Sequence, residues 1–370
     1  MACSAASASS SKETAFPTIE ASVITVEELV EGGPRALAKI KDALGRDGPG
    51  IIALRGVPGL AEARSNLLPL ADHLANLPPD ELARLEDPES FFSVGWSLGK
   101  ETLEGGIPDF NKGSFYANPV YDALDVTPEE LRLHPSYTRP NVWPESIPAL
   151  RPALRTMGAL IVDHGRLLAR ACDKLVCQEL GKASVGTSSI EAAIADSVGA
   201  KSRLLHYYPP RPDQTAAPDS SGSEADKMGS WCGWHLDHGS LTGLTAAMFT
   251  DTQGGEVGNP DSARCGLYVR SRKGSVFRVK YGPDCLAYQM GEASQIMSGG
   301  VLEATPHCVV GADGPDAAGV ARNTFAIFMQ PRWDLVMEEA APCPEIASAK
   351  GFEHGMTFGD FTNVRLAQYY

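Results

Sequence analysis

The spacing of hydrophobic residues differs between the first part of the chain and the part beyond residue 200. In the first half, apolar residues recur at helical spacing in three segments, which predicts helices at about 26–48, 60–77 and 146–180. Pro69 is expected to kink the second helix. Extended segments are predicted at 16–24 and 50–56. The segment 88–144 is dense in Gly, Pro and aromatic residues and is predicted to be an ordered loop.

Beyond residue 200 the pattern changes to short runs of β-branched and aromatic residues separated by turns. These runs are SRLLHYY, GSWCGWHLD, TGLTAAMFT, CGLYVRS, SVFRVKY, DCLAYQM, EATPHCVV and VARNTFAIFMQP. Their length and spacing are typical of an all-β sandwich or barrel. Polar insertions at 209–229, 252–264 and 311–319 interrupt them and are predicted to be surface loops. We therefore expect a mainly β fold with flanking α-helices.

Composition narrows the class of protein. A chain of 370 residues with 43% hydrophobic content can bury a substantial core. A formal net charge of -14 argues against nucleic acid and anionic lipid as partners. No apolar run is long enough to predict a membrane span. The eight cysteines include no CxxC pair, which favours reduced thiols and a cytoplasmic location. A small-molecule substrate fits these features best.

A candidate metal site begins in WCGWHLDHG. His235 and Asp237 lie two residues apart at a strand end, so they share one face and can chelate one ion. His307, in the separate run EATPHCVV, supplies a second imidazole. Two imidazoles and one carboxylate on one face suit Fe(II) and leave other coordination positions open.

A candidate carboxylate clamp lies further along the chain, in ARNTFAIF. Arg322 and Thr324 are two residues apart on this predicted strand, so they also share a face. An arginine fork beside a hydroxyl is suited to binding a carboxylate. The sequence therefore predicts a metal site and an anion clamp on separate strands of the second half of the chain.

The order of these motifs resembles the iron(II)- and 2-oxoglutarate-dependent oxygenases of the isopenicillin N synthase-like group. The motifs are HLDHGSLTGLT, GLYV, GEASQIMSGG, ATPHCVV and ARNTFAIFMQP. Upstream, LLHYYPP resembles the strand that usually reads Asn-Tyr-Tyr-Pro in that group. The stretch from FPTIEAS to LRGVP resembles its N-terminal region, so the resemblance spans about residues 16–335.

The resemblance implies a double-stranded β-helix, or jelly roll, and a role for each matched residue. His235, Asp237 and His307 would bind Fe(II), while Arg322, Thr324 and Tyr208 would bind 2-oxoglutarate. Three residues depart from the usual pattern: His206 replaces Asn, Glu292 replaces Asp, and Thr324 replaces Ser. The three insertions also lengthen the spacing between motifs. We expect 209–229 to form a lid, because it joins the strands that carry Tyr208 and His235.

The implied organisation has four parts. They are a disordered leader at 1–15, an N-terminal helical and mixed region at 16–180, the jelly-roll domain at 181–335 and a C-terminal extension at 336–370. An organelle-targeting peptide is the alternative for the Ser/Ala-rich leader.

The implied activity is that of a non-haem iron oxygenase. It would couple oxidative decarboxylation of 2-oxoglutarate to hydroxylation, or a related oxidation, of a small organic molecule by dioxygen. Two alternatives stay open: an iron oxidase of the same fold that does not use 2-oxoglutarate, and a non-catalytic binding or sensing module. Succinate production and oxygen uptake discriminate among them. The sequence does not specify the substrate or the oligomeric state.

Overall fold

The strands of the molecule come from nearly its whole length. A computed structural model describes residues 16–103, 107–196, 198–209, 231–259, 265–311 and 317–366. The strands are β1 (Thr18–Glu20), β2 (Ser22–Thr25), β3 (Ile51–Arg55), β4 (Gly95–Ser97), β5 (Thr102–Leu103), β6 (Ile107–Pro108), β7 (Lys112–Ala117), β8 (Lys201–Tyr207), β9 (Cys232–His235), β10 (Leu241–Thr245), β11 (Met248–Thr250), β12 (Glu256–Val257), β13 (Gly266–Arg270), β14 (Val276–Lys280), β15 (Cys285–Met290), β16 (His307–Val310) and β17 (Ala321–Met329).

Two sheets face each other. The smaller sheet has the order β1-β14-β13-β16-β9, and the larger has the order β2-β3-β15-β10-β17-β8-β7-β4, with β11 joined to β17. Pairing is antiparallel except between β1 and β14 and between β2 and β3. Apolar side chains of both sheets meet between them, for example Ile51 and Val269 at one end and Leu205 and Val309 at the other. We call the face of the larger sheet that is turned toward the smaller one its inner face.

Helices cover the outer face of the larger sheet and one end of the sandwich. They are α1 (Val26–Glu31), α2 (Pro34–Leu44), α3 (Leu60–Leu67), α4 (Pro69–Ala75), α5 (Pro79–Arg84), α6 (Pro128–Leu133), α7 (Pro135–Thr138), α8 (Leu150–Leu180), α9 (Ile190–Ala193), α10 (Glu292–Met297), α11 (Pro344–Lys350) and α12 (Phe358–Leu366). Short 3₁₀ turns occur at Pro88–Ser90 and Gly186–Ser188.

Helix α8 lies against the outer face of the larger sheet. The hydroxyl of Tyr288 on β15 donates to the carbonyl of Ile161 at 2.8 Å. Beside it on β10, a Cβ at Gly243 would lie 2.2 Å from Cγ2 of Ile161, so only glycine allows this close approach. Because α8 covers this face and the smaller sheet covers the other, the central strands are buried on both faces.

Most predicted elements are confirmed, with two differences in detail. The predicted first helix is two helices, because Gly32 adopts a left-handed conformation with φ of 57° and Gly33 precedes the proline that begins α2. The second helix is divided at Pro69, as expected. The prediction of loop throughout 88–144 is wrong: β4 and β7 extend the larger sheet, and α6 and α7 follow them.

Some expectations fall outside the described residues. The leader at 1–15 and nearly all of the expected lid at 209–229 are among them. Across the described ranges, helices that are both long enough and apolar enough to cross a bilayer are absent. The larger sheet takes β2, β3, β4 and β7 from the 16–180 segment, so that segment contributes directly to the sandwich.

Candidate metal centre and carboxylate clamp

Three predicted ligands meet where β9 ends and β16 begins. His235 and His307 are direct partners across these antiparallel strands, and their ring centroids are 4.2 Å apart. Asp237 follows two residues after His235. Its carboxylate oxygens lie 3.8 Å from Nε2 of each histidine. Two donors that each bind one ion at ~2.1 Å lie at most ~4.2 Å apart, so each carboxylate–imidazole spacing suits a shared ion.

Hydrogen bonds orient each ligand. Nδ1 of His235 lies 2.8 Å from the carbonyl of Gly233, and Nδ1 of His307 lies 3.2 Å from the carbonyl of Thr305. A carbonyl requires a proton on Nδ1, which leaves the Nε2 lone pairs available to a metal. The hydroxyl of Thr242 donates to Oδ2 of Asp237 at 2.6 Å and fixes the carboxylate.

The protonation states of the three ligands differ. Burial and the neighbouring His235 lower the pKa of His307 to about 4, so this imidazole is neutral at physiological pH. Burial lowers the pKa of His235, but Cys232 and Asp237 outweigh it and raise the value to about 9. For Asp237, burial raises the pKa but the two imidazoles and Thr242 lower it overall. A divalent cation would displace the proton from His235 on binding.

The predicted clamp residues point to the inner face from β17. Arg322 is 8% exposed, and its Nε and Nη1 have no hydrogen-bond partner among the described residues. Its guanidinium lies 4.9 Å from the ring of Tyr207. The Thr324 hydroxyl donates to the carbonyl of Thr245 at 3.3 Å. A buried cation with two free donors is costly alone, so this group fits an anionic ligand such as a carboxylate.

Tyr208 lies elsewhere. Its ring packs against His206, with centroids 4.7 Å apart, and among the helix-facing apolar residues of the larger sheet. Its hydroxyl lies 3.5 Å from the carbonyl of Ala75 on α4. Tyr207, directly across from Arg322, belongs instead to the cluster between the sheets. The structure therefore brings Arg322 and Thr324 to one face with Tyr207, and it places Tyr208 on the opposite face.

A buried ion cluster beside the clamp was missed from the sequence. Lys112, Tyr207 and Arg322 stand in one row across β7, β8 and β17. Lys112 pairs with Asp109 and, at 3.1 Å, with Glu101. The cluster is completed by Arg203, which lies 2.6 Å from Glu101. Asp109 and Lys112 are three residues apart, but Arg203, Tyr207 and Arg322 come from distant parts of the chain, so no local pattern predicted the whole cluster.

No protein-family model matches the chain. It is 26% identical over 233 residues to jasmonate-induced oxygenase 4 of Arabidopsis thaliana, an alignment that covers 62% of this chain and 52% of the relative. It is 24% identical over 275 residues to homoarginine-6-hydroxylase 2-ODD-233 of Oryza sativa subsp. japonica, covering 73% of this chain and 70% of the relative. The chain thus spans about half the length of the Arabidopsis relative.

A solved structure shares the whole architecture. A full-length Neurospora crassa protein, crystallised in complex with alpha-KG, superposes with a TM-score of 0.63 at 19% identity, covering 93% of this chain and 95% of that one. This confirms the prediction of a mainly β fold with a jelly-roll core and flanking helices. The two sequence relatives are named as an oxygenase and a hydroxylase, and the solved structure shares the fold of this chain.

Proposed function

We propose that the protein is an iron(II)- and 2-oxoglutarate-dependent oxygenase that oxidises a small organic molecule. The observation that carries the proposal is the combination of a His-Asp-His group, in which Asp237 and His307 are buried, with a buried arginine that has free donors in the same sandwich interior. Together the two features match a divalent metal and a dicarboxylate.

In this proposal the chain's residues have distinct tasks. His235, Asp237 and His307 hold the iron on one face. Arg322, with the Thr324 hydroxyl beside it, binds the far carboxylate of 2-oxoglutarate and fixes its orientation. When bound, iron and 2-oxoglutarate supply the oxidation of a substrate C–H bond by dioxygen, with release of succinate and carbon dioxide. The protein's contribution is to position the reactants and to exclude water.

Tyr207 replaces Tyr208 as our candidate for the residue that borders the cosubstrate. Its ring covers the Arg322 guanidinium and touches Trp231, with ring centroids 5.2 Å apart. We expect Tyr207→Leu to weaken 2-oxoglutarate binding about 2- to 30-fold, since a cation–π contact is worth roughly 0.5–2 kcal/mol. Tyr208→Leu, on the helix-facing side, is the matched control and should leave 2-oxoglutarate affinity unchanged.

The substrate class is also part of the proposal. The rice relative is named as a hydroxylase of homoarginine, and the Neurospora protein has also been solved with thymine. Small organic molecules of this size support a small substrate here. A cytoplasmic location completes the proposal, and it is supported by the reduced thiols of Cys172, Cys177, Cys232, Cys285, Cys308 and Cys343.

The deciding experiment is an anaerobic titration. Addition of Fe(II) and 2-oxoglutarate to the metal-free protein should produce a weak visible charge-transfer band, and His307→Ala should abolish it. Arg322→Met should bind iron but show no band at moderate 2-oxoglutarate concentration. Iron binding without a band in the wild type would favour an oxidase that does not use 2-oxoglutarate. Absence of iron binding would refute the enzyme and favour a binding module.

A further inference from the structure

A second layer of contacts supports the turn that carries Asp237. The amide of Glu292, the first residue of α10, donates to the carbonyl of Asp237 at 2.8 Å. The amide of Ala293 donates to the carbonyls of His238 and Gly239 at 3.2 and 3.1 Å. The turn after β9 is therefore hydrogen-bonded to the start of α10 rather than to its own strand alone.

The approach of the two segments is unusually close. A Cβ at Gly291 would lie 2.0 Å from the carbonyl oxygen of Gly239 and 3.0 Å from that of Asp237. The backbone of Gly291 has φ of -96°, so the glycine is needed for space and not for a left-handed conformation. Any shift of Glu292 is consequently transmitted to the turn, because no gap separates the two backbones.

The Glu292 side chain ties this contact to the C-terminal helices. It is 1% exposed and accepts hydrogen bonds from Nζ of Lys350 at 2.9 Å and from Nε of Arg365 at 2.6 Å. Lys350 ends α11 and Arg365 lies in the last turn of α12. The aspartate expected at this position from the family resemblance is one methylene shorter, so the glutamate extends the reach of the carboxylate toward these cations.

The same helices also pack on the turn. Phe358 of α12 stacks on the imidazole of His238, with ring centroids 6.0 Å apart and an angle of 17°. Phe358 and Phe361 are fully buried with Ala293 and Ile296 of α10. The C-terminal extension thus contacts the Asp237 turn directly, through His238, and indirectly, through Glu292.

We propose that Glu292, held by Lys350 and Arg365, is a positioning residue for the metal ligand Asp237, so that the C-terminal helices set the affinity of the metal site. This inference rests on the proposed function, since it treats Asp237 as a ligand. A buried carboxylate between two cations holds the first turn of α10 in one place. That turn then fixes the carbonyl of Asp237 and, with Thr242, the direction of its carboxylate.

Arg365→Met tests the proposal, because it removes one cation and leaves Glu292 on Lys350. Fe(II) titration under anaerobic conditions should show affinity reduced about 10- to 100-fold, the range found when groups that orient metal ligands are removed. Hydrogen exchange at the amides of Glu292 and Ala293 should accelerate at least tenfold in the metal-free protein. Lys350→Met, which keeps the arginine, should have a smaller effect in the same direction.

Lys39→Met is the matched control. Lys39 pairs with Glu28 at 2.7 Å on the N-terminal helices, so its loss breaks an ion pair away from the metal site. Metal affinity and exchange at Glu292 should not change in this variant.

The proposal is overturned if Arg365→Met binds iron as the wild type does, or if hydrogen exchange rises equally throughout the protein. If the wild type binds no iron, the proposed function fails, and the exchange rates alone decide whether Glu292 fixes the turn. If Arg365→Met does not fold, Lys350→Met decides by the same criteria.

Discussion

Arg322 offers a test that separates function from stability. In the ligand-free protein its Nε and Nη1 are buried without partners among the described residues, so the residue costs free energy that binding of a carboxylate would recover. Methionine has a similar length and no charge. We predict that Arg322→Met loses 2-oxoglutarate affinity but keeps nearly all of its stability. Replacing a buried arginine whose donors are paired within the fold would instead lower the stability.

The magnitudes follow from the two free donors. A hydrogen bond to a charged group contributes roughly 1.5–3 kcal/mol, so two of them correspond to about two to four orders of magnitude in 2-oxoglutarate affinity. In the absence of ligand, relief of the unpaired donors offsets the lost contact with Tyr207, which is worth up to ~2 kcal/mol. The free energy of unfolding of the ligand-free variant should therefore stay within about 2 kcal/mol of the wild type.

Arg203→Met is the matched comparison. Arg203 is a neighbouring arginine on the same inner face, but Glu101 and Ser114 satisfy its guanidinium. Its loss leaves Glu101 with fewer partners and should lower the free energy of unfolding more than Arg322→Met does. Urea denaturation of the ligand-free proteins and calorimetric titration of 2-oxoglutarate measure the two quantities. Equal destabilisation of both variants, or undiminished 2-oxoglutarate binding by Arg322→Met, would refute the reasoning.

Three further variants examine other parts of the site. Thr242→Val removes the hydroxyl that orients Asp237 and should weaken Fe(II) binding about 10- to 100-fold in an anaerobic titration. The metal-free variant should also lose roughly 1–3 kcal/mol of unfolding free energy in urea, because a buried carboxylate loses a donor. Gly291→Ala should lower the free energy of unfolding by roughly 1–3 kcal/mol, because the added Cβ would meet a carbonyl oxygen. The control is Gly233→Ala, whose Cβ would meet no atom within 4 Å and which should not lower it. Equal effects of the two variants in urea denaturation would contradict the packing argument. Burial raises the pKa of Glu101, but Arg203 and Lys112 outweigh it and hold the pKa well below its usual range. A lowered carboxyl pKa stabilises the fold above the unfolded value of ~4.3 and loses that effect as pH falls toward the folded value. The stability lost in Glu101→Gln, roughly 1–3 kcal/mol at pH 7, should therefore shrink below about pH 4 in pH-dependent urea melts, and a constant difference would show that the charge is not responsible.

The grouping of the three proposed metal ligands was predictable because most of its signal is local. His235 and Asp237 are two residues apart at a strand end, and His307 occurs in a second strand-like run. Alternation along a strand was enough to place the pair on one face. The structure adds what alternation cannot give, the cross-strand register that brings His307 opposite His235.

The assignment of Tyr208 shows where such reasoning stops. On β8 both faces are covered, one by helices and the other by the smaller sheet, so every residue from Leu204 to Tyr207 is buried. Alternation of apolar and polar residues then carries no information about which face points to the site. The choice between Tyr207 and Tyr208 depends on the register with Arg322, which only the folded chain supplies.

Strands β4 and β7 were missed for a related reason. β7 reads KGSFYA, and the polar residues Lys112 and Ser114 lie on its inner face, where they meet Glu101 and Arg203. A strand whose buried face is charged lacks the alternation that identifies strands. Asp109 and Glu101, which pair with Lys112, are close in sequence, but Arg203, which binds Ser114, comes from β8. The sequence alone does not show this pairing, so its pattern predicts a loop for the segment.

The position of β3 in the larger sheet has a consequence for synthesis of the protein. β3 ends at Arg55, yet its antiparallel partner β15 begins only at Cys285, about 230 residues later. At translation rates of about 5–20 residues per second, β15 is synthesised roughly 10–45 seconds after the apolar run Ile51–Leu54. During this interval only β2 can pair with it, and one edge stays open to wrong partners. The nascent chain is therefore expected to depend on chaperones, and a jelly roll expressed without its first sixty residues would expose the edge of β15.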